Sequence, residues 1–339
     1  MPPETATTSF GGHTLLARIP QAWRASLATL VLGTLVLLAA TAREWGEMLH
    51  QWWNIDTYTH VLLVPPIIAW LVAIKAKELA LIVPKPWLPG LAVIAVGIAL
   101  WAIGRISEIN LIAHAGAVGA LQGLVIASIG PRTSLLLALP LCFAVFLVPF
   151  GDEIVPPLQA ITAEIAVALT HASGIPAEVD GIYIDTPVGL FIVAEACSGV
   201  KFLVAMVTLA VLVAYTRFES WTRRALFMLA SIIVPIIANG VRAWGTIYIA
   251  QSQGVEFAAG FDHIFYGWIF FAIVVTLILV AAWRWFEREP DDYGWTAQQL
   301  DAFPWTGRLE RGGTTPVVVI AGTAAIALAA MIVAPGTIG

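Results

Sequence analysis

Residues 194–215 read AEACSGVKFLVAMVTLAVLVAY. From Phe202 onward nothing in the stretch is charged, and Thr208 is its one polar interruption before Tyr215. Runs of about 17–25 predominantly apolar residues read as helices crossing a bilayer. The chemistry is gathered at the other end, where Glu195, Cys197, Ser198 and Lys201 precede or open the run. Ionisable groups at membrane depth are expensive, so they are functional candidates by default.

Runs of the same kind lie near 25–42, 58–74, 87–104, 109–129, 133–150, 225–249, 262–283 and 317–334. Counting the shorter ones with care gives about eight to ten spans. The 339-residue chain is 59% hydrophobic and 12% charged, where a soluble domain carries roughly 25% charged residues. The apolar runs are long rather than alternating, which argues helices over a membrane β-barrel. The expected fold is therefore all-α, a polytopic helical integral membrane protein. No basic stripe suggests nucleic acid. Cys142 and Cys197 sit in different contexts, so a structural disulfide is not the natural reading. Cys142 reads as a small apolar residue. The first run has no small-x-small site after it and reads as an uncleaved span. No internal repeat is visible.

Basic residues set the orientation, because cytoplasmic loops are enriched in Lys and Arg. With the N-terminus in the cytoplasm, 13 of the 17 basic residues fall inside: Arg18, Arg24, Lys75, Lys77, Lys85, Arg132, Arg217, Arg223, Arg224, Arg284, Arg288, Arg308 and Arg311. Only Arg43 and Arg105 fall in outer loops, while Lys201 and Arg242 belong to the candidate site. Residues 1–24 then form a cytoplasmic tail, 25–285 a membrane domain, 286–316 a polar, aromatic-rich cytoplasmic loop and 317–339 a last transmembrane helix. Trp45, Trp52 and Trp53, and at the other face Trp283 and Trp285, read as aromatic belts.

Residues 151–193 become an extracytoplasmic segment. Pro156-Pro157 can start a helix. Leu158, Ile161, Ile165, Ala168 and Leu169 recur near helical spacing, with Gln159 and Glu164 on the other side. This predicts an amphipathic helix at the outer leaflet, ended by Gly174-Ile175-Pro176. A β-like stretch follows over roughly 177–193, with turns at Asp180-Gly181 and Thr186-Pro187.

The same topology brings three residues to one depth. Cys197 opens the sixth span, Arg242 lies in the outer half of the seventh, and His263 opens the eighth. Ser198-Gly199 permits a tight entry into a helix whose N-terminal N–H groups would favour a thiolate and could hold an oxyanion. His263 follows Asp262, a plausible N-cap. Alone it reads as an interfacial cap; beside a cysteine it becomes a proton partner. Arg242 has a bland reading as a snorkelling side chain. Yet Asn239 and Arg242, three apart, share a helix face, and a fixed guanidinium there suits an oxyanion or a substrate carboxylate. Lys201, four residues after Cys197, is expected one turn deeper on the same face, supporting the thiolate or pairing with Glu195. His60, at the outer start of the second span, is a further candidate to line the site, against a plain anchoring role. No ligand spacing suggests a metal, and no cofactor is expected.

These residues together resemble a known family. Pro149-Phe150-Gly151, Pro156-Pro157-Leu158, Ser173-Gly174-Ile175-Pro176, Asp180-Gly181 and Ala196-Cys197-Ser198-Gly199 come first. Val234-Pro235-Ile236-Ile237-Ala238-Asn239-Gly240-Val241-Arg242 and Asp262-His263-Ile264-Phe265-Tyr266-Gly267-Trp268 follow in order. In this order and spacing they resemble the exosortase/archaeosortase family, most like exosortase A, over roughly residues 25–285. Tyr58-Thr59-His60 is similar to a Ser-His-Gly element of that family. The resemblance implies a membrane-embedded cysteine enzyme, like sortase in chemistry and unrelated in fold. Its substrates would be exported proteins with a C-terminal PEP-CTERM-type sorting signal: a Pro-Glu-Pro motif, a transmembrane helix and a basic tail. Cleavage, with transfer to a surface acceptor in systems tied to exopolysaccharide, would occur at the outer face of the inner membrane.

By the same carry-over Cys197 would be the nucleophile, His263 the acid/base partner and Arg242 the oxyanion stabiliser. Asn239, Lys201, Glu195, Ser198, Gly199, His60 and Asp262 would support or bind substrate. Two departures stand out. Lys201 occupies a position where the family more often has Arg, keeping the charge and losing the bidentate fork. Relatives of this branch can continue into a soluble extracytoplasmic domain after the last span, so beyond Gly339 such a partner domain is expected to be absent, separate or truncated away. Membrane lipids are the other expected partner. The competing classes are a non-enzymatic export or exopolysaccharide-assembly factor, and a lipid transferase or transporter, which would predict inverted repeats and broken midplane helices.

Overall fold

The computed structural model describes residues 20–255 and 267–333. Along the chain run α1 (Gln21–Ala40), α2 (Ala42–Asn54), α3 (Val64–Ile74), α4 (Gly90–Ile106), α5 (Asn110–Leu136), α6 (Ala138–Phe143) and α7 (Val155–Ala172). Strands β1 (Glu178–Asp180), β2 (Tyr183–Thr186) and β3 (Gly189–Ile192) follow, then α8 (Val200–Arg217), α9 (Trp221–Gln253), α10 (Gly267–Trp283) and α11 (Pro316–Val333), with short helical turns between some of them. The protein is a helical, multi-pass membrane protein. Among the described residues five helices are long and apolar enough to cross a membrane, or six if α2 and the segment Thr59–Ile74, bent by 106°, count as one span. Shorter apolar helices occupy Gly90–Ile106, Ala138–Leu147, Ile269–Trp283 and Pro316–Ile332.

The contacts divide the chain into two units. The first comprises residues 1–42, 75–137 and 295–339. Here α4 and α5 pack at close range, because glycine removes the side chains that would hold them apart. A methyl on Gly116 would stand 2.2 Å from the Trp101 nitrogen, and one on Gly97 2.3 Å from the Ala120 nitrogen. Lipid tails are as apolar as leucine, so helices in a membrane gain from intimate van der Waals packing rather than from leaving water. Helices α1 and α11 pack on this pair and on each other. Within this unit the 295–312 segment is tied down by Trp87 Nε1 donating to the Leu309 carbonyl at 2.7 Å, by the Lys85–Glu310 ion pair at 2.8 Å, and by an Arg132–Asp301 pair.

The second unit comprises residues 43–74 and 138–294. Helix α9 packs against α7, α8 and α10. Met206, Ala210 and Ala214 of α8 meet Phe227 of α9 and Val274, Ile278 and Ala282 of α10, with Phe218 closing the cluster. The expected run 133–150 is not one helix. It breaks into the end of α5, the six-residue α6 and a 3-10 turn over Ala144–Leu147. Pro140 lies inside this stretch, and a proline removes a donor and crowds the preceding turn.

The segment expected to be β-like is a three-stranded antiparallel sheet in the order β1-β2-β3, with Glu178 opposite Asp185, Ile184 opposite Phe191 and Thr186 opposite Gly189. Its buried side, Ile184 with Val193 beyond β3, packs on Ala163, Ala166 and Val167 of α7 and Ile247 of α9. Helix α7 begins beside Pro156-Pro157 and stops before Gly174, which has φ +78°.

Helix α7 packs through Leu158, Gln159, Thr162, Ala163, Ala166, Val167 and Thr170, while Ile161 and Ala168 of its apolar stripe are exposed. In water the apolar stripe of a helix turns inward. In a lipid-facing unit the apolar residues go outward, and small and polar residues line the helix–helix contact.

Candidate active site

The site is built where the sheet hands the chain to α8. Glu195–Cys197 form one 3-10 turn, with the Cys197 N–H donating to the Ala194 carbonyl at 2.8 Å and the Ser198 N–H to Glu195 at 3.1 Å. Gly199 then caps α8 at φ +84°. That left-handed conformation favours glycine. The position is also sterically closed, because a methyl on Gly199 would lie 2.7 Å from Asn239 Cγ. The buried Ser198 accepts the Val200 N–H at 3.3 Å.

Two carboxamides hold this crossing in place. Gln159 Nε2 on α7 donates to the Val193 carbonyl at 2.7 Å. Asn239 Nδ2 on α9 donates to the Cys197 carbonyl at 2.8 Å and to Thr162 Oγ1 at 3.0 Å. Each satisfies polar groups that, buried and unpaired, would cost about 1–3 kcal/mol. Gln159 and Thr162 were absent from the candidates read from sequence; their three-residue spacing on one helix face was the available signal.

A small cavity opens beside the turn. It is lined by Cys197, by Asn239, Arg242, Ala243, Thr246 and Ile247 of α9, and by Ile184, Phe191, Ile192 and Val193 of the sheet segment. Cys197 and Arg242, two of the three residues read from sequence as one constellation, are thus brought to one space, together with Asn239. Arg242 is only 9% exposed and lies one turn beyond Asn239 on α9. A methyl built on Gly267, the first residue of α10, would stand 4.0 Å from Arg242 Cζ. The motif that contains His263 therefore reaches Arg242 at its Gly267 end. Asp262 and His263 themselves lie outside the described residues.

Other candidates are placed differently. Lys201 is not among the residues lining this cavity; its Nζ stands 5.1 Å over the Phe202 ring. The expectation that it shares a helix face with Cys197 fails because the helix begins only at Val200, and the left-handed Gly199 breaks the phase between them. His60 sits in a 3-10 turn, bonded through Nδ1 to the Thr57 carbonyl at 3.0 Å, and the structure does not bring it to the cavity. Glu195 is exposed at the start of the turn. The Cys197 and Ser198 amides are spent inside the turn, so among the described residues that line the cavity the charged donor is the Arg242 guanidinium.

At the far end of α8 the character changes. Arg217 pairs with Glu289 at 3.3 Å, and Arg223 with Glu287 at 3.1 Å. Arg224 and Arg288 both donate to the Phe218 carbonyl. Helix α8, 18 residues long, therefore separates the cysteine from an arginine cluster by about 27 Å at 1.5 Å per residue.

The chain matches the transmembrane exosortase family (Exosortase_EpsH) over residues 52–280. No curated protein and no solved structure matches the chain.

Proposed function

The chain belongs to the transmembrane exosortase family, and from that premise we propose that it is a cysteine endopeptidase or transpeptidase whose nucleophile is Cys197. The observation that carries this reading is the shared cavity: a thiol-bearing turn and a buried guanidinium face one space, with Asn239 fixing the turn through the Cys197 carbonyl.

In the proposed reaction the thiolate of Cys197 attacks the carbonyl carbon of the scissile peptide bond. His263 accepts the thiol proton and passes it to the leaving amine, as an acid/base partner of a cysteine does. Arg242 stabilises the oxyanion that forms before the C–N bond breaks, since a preorganised donor in a dry site is worth far more than in water. The acyl group remains on sulfur as a thioester, and water or an acceptor amine or hydroxyl then releases it. The substrates we assign are exported proteins with a PEP-CTERM-type tail. A substrate tethered by its own transmembrane helix presents its cut site at the interface and gains effective concentration without a deep pocket. The arginine cluster at the opposite end of α8 supports a cytoplasmic assignment for that end, and hence an outward-facing site in the inner membrane, by the bias of basic residues to the inside.

The test is co-expression of this chain, or its Cys197→Ala variant, with an exported reporter carrying a Pro-Glu-Pro sorting tail, followed by mass spectrometry of the reporter's C-terminus. Cleavage that depends on Cys197 supports the enzyme, and the mass of the new end separates hydrolysis from transfer. Equal activity of the Cys197→Ser variant would instead favour a non-enzymatic export factor.

A further inference from the structure

The small sheet has two unlike edges. The outer edge belongs to β1, where Glu178 and Asp180 flank Val179. Charged residues on an edge strand discourage further pairing. The other edge belongs to β3, Gly189-Leu190-Phe191-Ile192, which carries no charge. Leu190 is 58% and Ile192 54% exposed, and among the described residues no strand pairs with that side of β3.

The register says which backbone groups this edge offers. The Val193 N–H donates to the Ile182 carbonyl at 2.9 Å. Hydrogen-bonded and non-hydrogen-bonded pairs alternate along an antiparallel ladder, so residues 189, 191 and 193 bond toward β2. Leu190 and Ile192 then direct their N–H and C=O groups the other way. The Ile192 carbonyl is taken by the Ala194 N–H at 3.0 Å. That leaves the N–H and C=O of Leu190 and the N–H of Ile192 directed outward from the sheet.

The same strand runs into the catalytic space: Phe191, Ile192 and Val193 line the cavity that holds Cys197 and Arg242. We propose that an extended segment of the substrate, next to its scissile bond, adds to the β3 edge as a fourth strand. Backbone pairing of this kind gives affinity without reading side chains. It holds a flexible tail extended and delivers its carbonyl to the thiol. Continuity with the cavity identifies the occupant: a chain paired along β3 continues into the space beside Cys197, whereas a second copy of the sheet would cover the edge and close the approach. The inference rests on the peptidase reading above and specifies how that site takes its substrate.

Hydrogen exchange tests it on the full chain. In the Cys197→Ala variant in nanodiscs, the Leu190 and Ile192 amides should exchange readily, and slow roughly tenfold or more when a peptide spanning the reporter's sorting motif is added. Amides already protected without peptide would overturn the proposal; protection that rises with protein concentration would assign the edge to a second copy. No slowing with peptide also overturns it. In the processing assay Leu190→Pro removes one outward donor where an edge strand tolerates proline. It should lower kcat/KM by up to roughly tenfold, about the loss of one hydrogen bond. Leu190→Ala keeps that donor and should lose less. Equal losses in the two variants, or none in the proline variant while wild type cleaves, would sink the strand addition and leave the enzyme standing. Failure of wild type to cleave would count against the peptidase reading, and the exchange measurement would still report on the edge.

Discussion

Asn239 Nδ2 lies 2.8 Å from the carbonyl oxygen of Cys197 and donates to it across 42 residues of sequence. The amide therefore fixes the backbone of the turn that carries the thiol, while the next helical turn of α9 brings Arg242 to the same cavity. One helix face thus sets both the aim of the thiol and the place of the charge.

Asn239→Ala should leave the Cys197 carbonyl and Thr162 Oγ1 without this donor. A buried group so orphaned costs about 1–3 kcal/mol, and reporter processing should fall roughly ten- to a hundredfold. The rate of Cys197 alkylation by a membrane-permeant reagent should change in parallel. Processing at the wild-type rate would show that the bond does not position the thiol.

Cys197→Ala should abolish processing in a protein that still inserts and folds. Arg242→Ala and His263→Ala should each cost on the order of a hundredfold, typical of a lost oxyanion donor or acid/base group. Arg242→Lys should rescue poorly, because a point charge does not reproduce the planar fork. Near-normal turnover of either alanine variant, measured as initial rate, would remove that residue from the mechanism.

Gly199→Ala tests the turn itself. The position combines φ +84° with a 2.7 Å approach to Asn239 Cγ. Left-handed backbone alone costs a non-glycine residue about 1–2 kcal/mol, and the clash adds to it. A lowered unfolding temperature in detergent together with lost processing is the expected result; a variant as stable and active as wild type would refute the close approach.

Glu287 lies beyond the end of α10 and accepts the Ser220 and Glu219 N–H groups at 2.8 and 2.7 Å. These bonds, the one from Ser220 foremost, with help from Arg223 and Arg288, hold its carboxyl below the usual range. A depressed folded-state pKa gives stability that is complete above the unfolded value, about 4.3, and is lost as pH falls through the folded value. Wild type should lose thermal stability below about pH 4 by more than Glu287→Gln does. Parallel pH profiles for the two proteins would contradict this.

Cys197 and Arg242 were legible in the sequence because lipid makes a polar group conspicuous, and Asn239 because it stands one turn from the arginine. Gln159 and Thr162 were not. A helical wheel drawn for water puts such residues outside, and α7 turns them inward onto α9. Lys201 was misplaced because spacing of four implies a shared face only within continuous helix, and the left-handed Gly199 interrupts it. The turn positions at Gly174 and Gly181 read correctly since both glycines adopt positive φ, a local property that needs no tertiary partner. The break of the run 133–150 into shorter pieces had its signal in Pro140, passed over because the run around it is apolar.

Helix α8 has one more consequence. Its 18 residues span about 27 Å, short of a hydrocarbon core of about 30 Å. A bilayer meeting so short a helix thins locally, at a cost of fractions of a kcal/mol per ångström. On the proposed peptidase reading, thinning at α8 would bring the headgroup layer to the turn of Cys197, and a tethered tail would not have to be lifted far out of the membrane to be cut. Processing should therefore depend on bilayer thickness, a lever set by the lipid rather than by any side chain at the site.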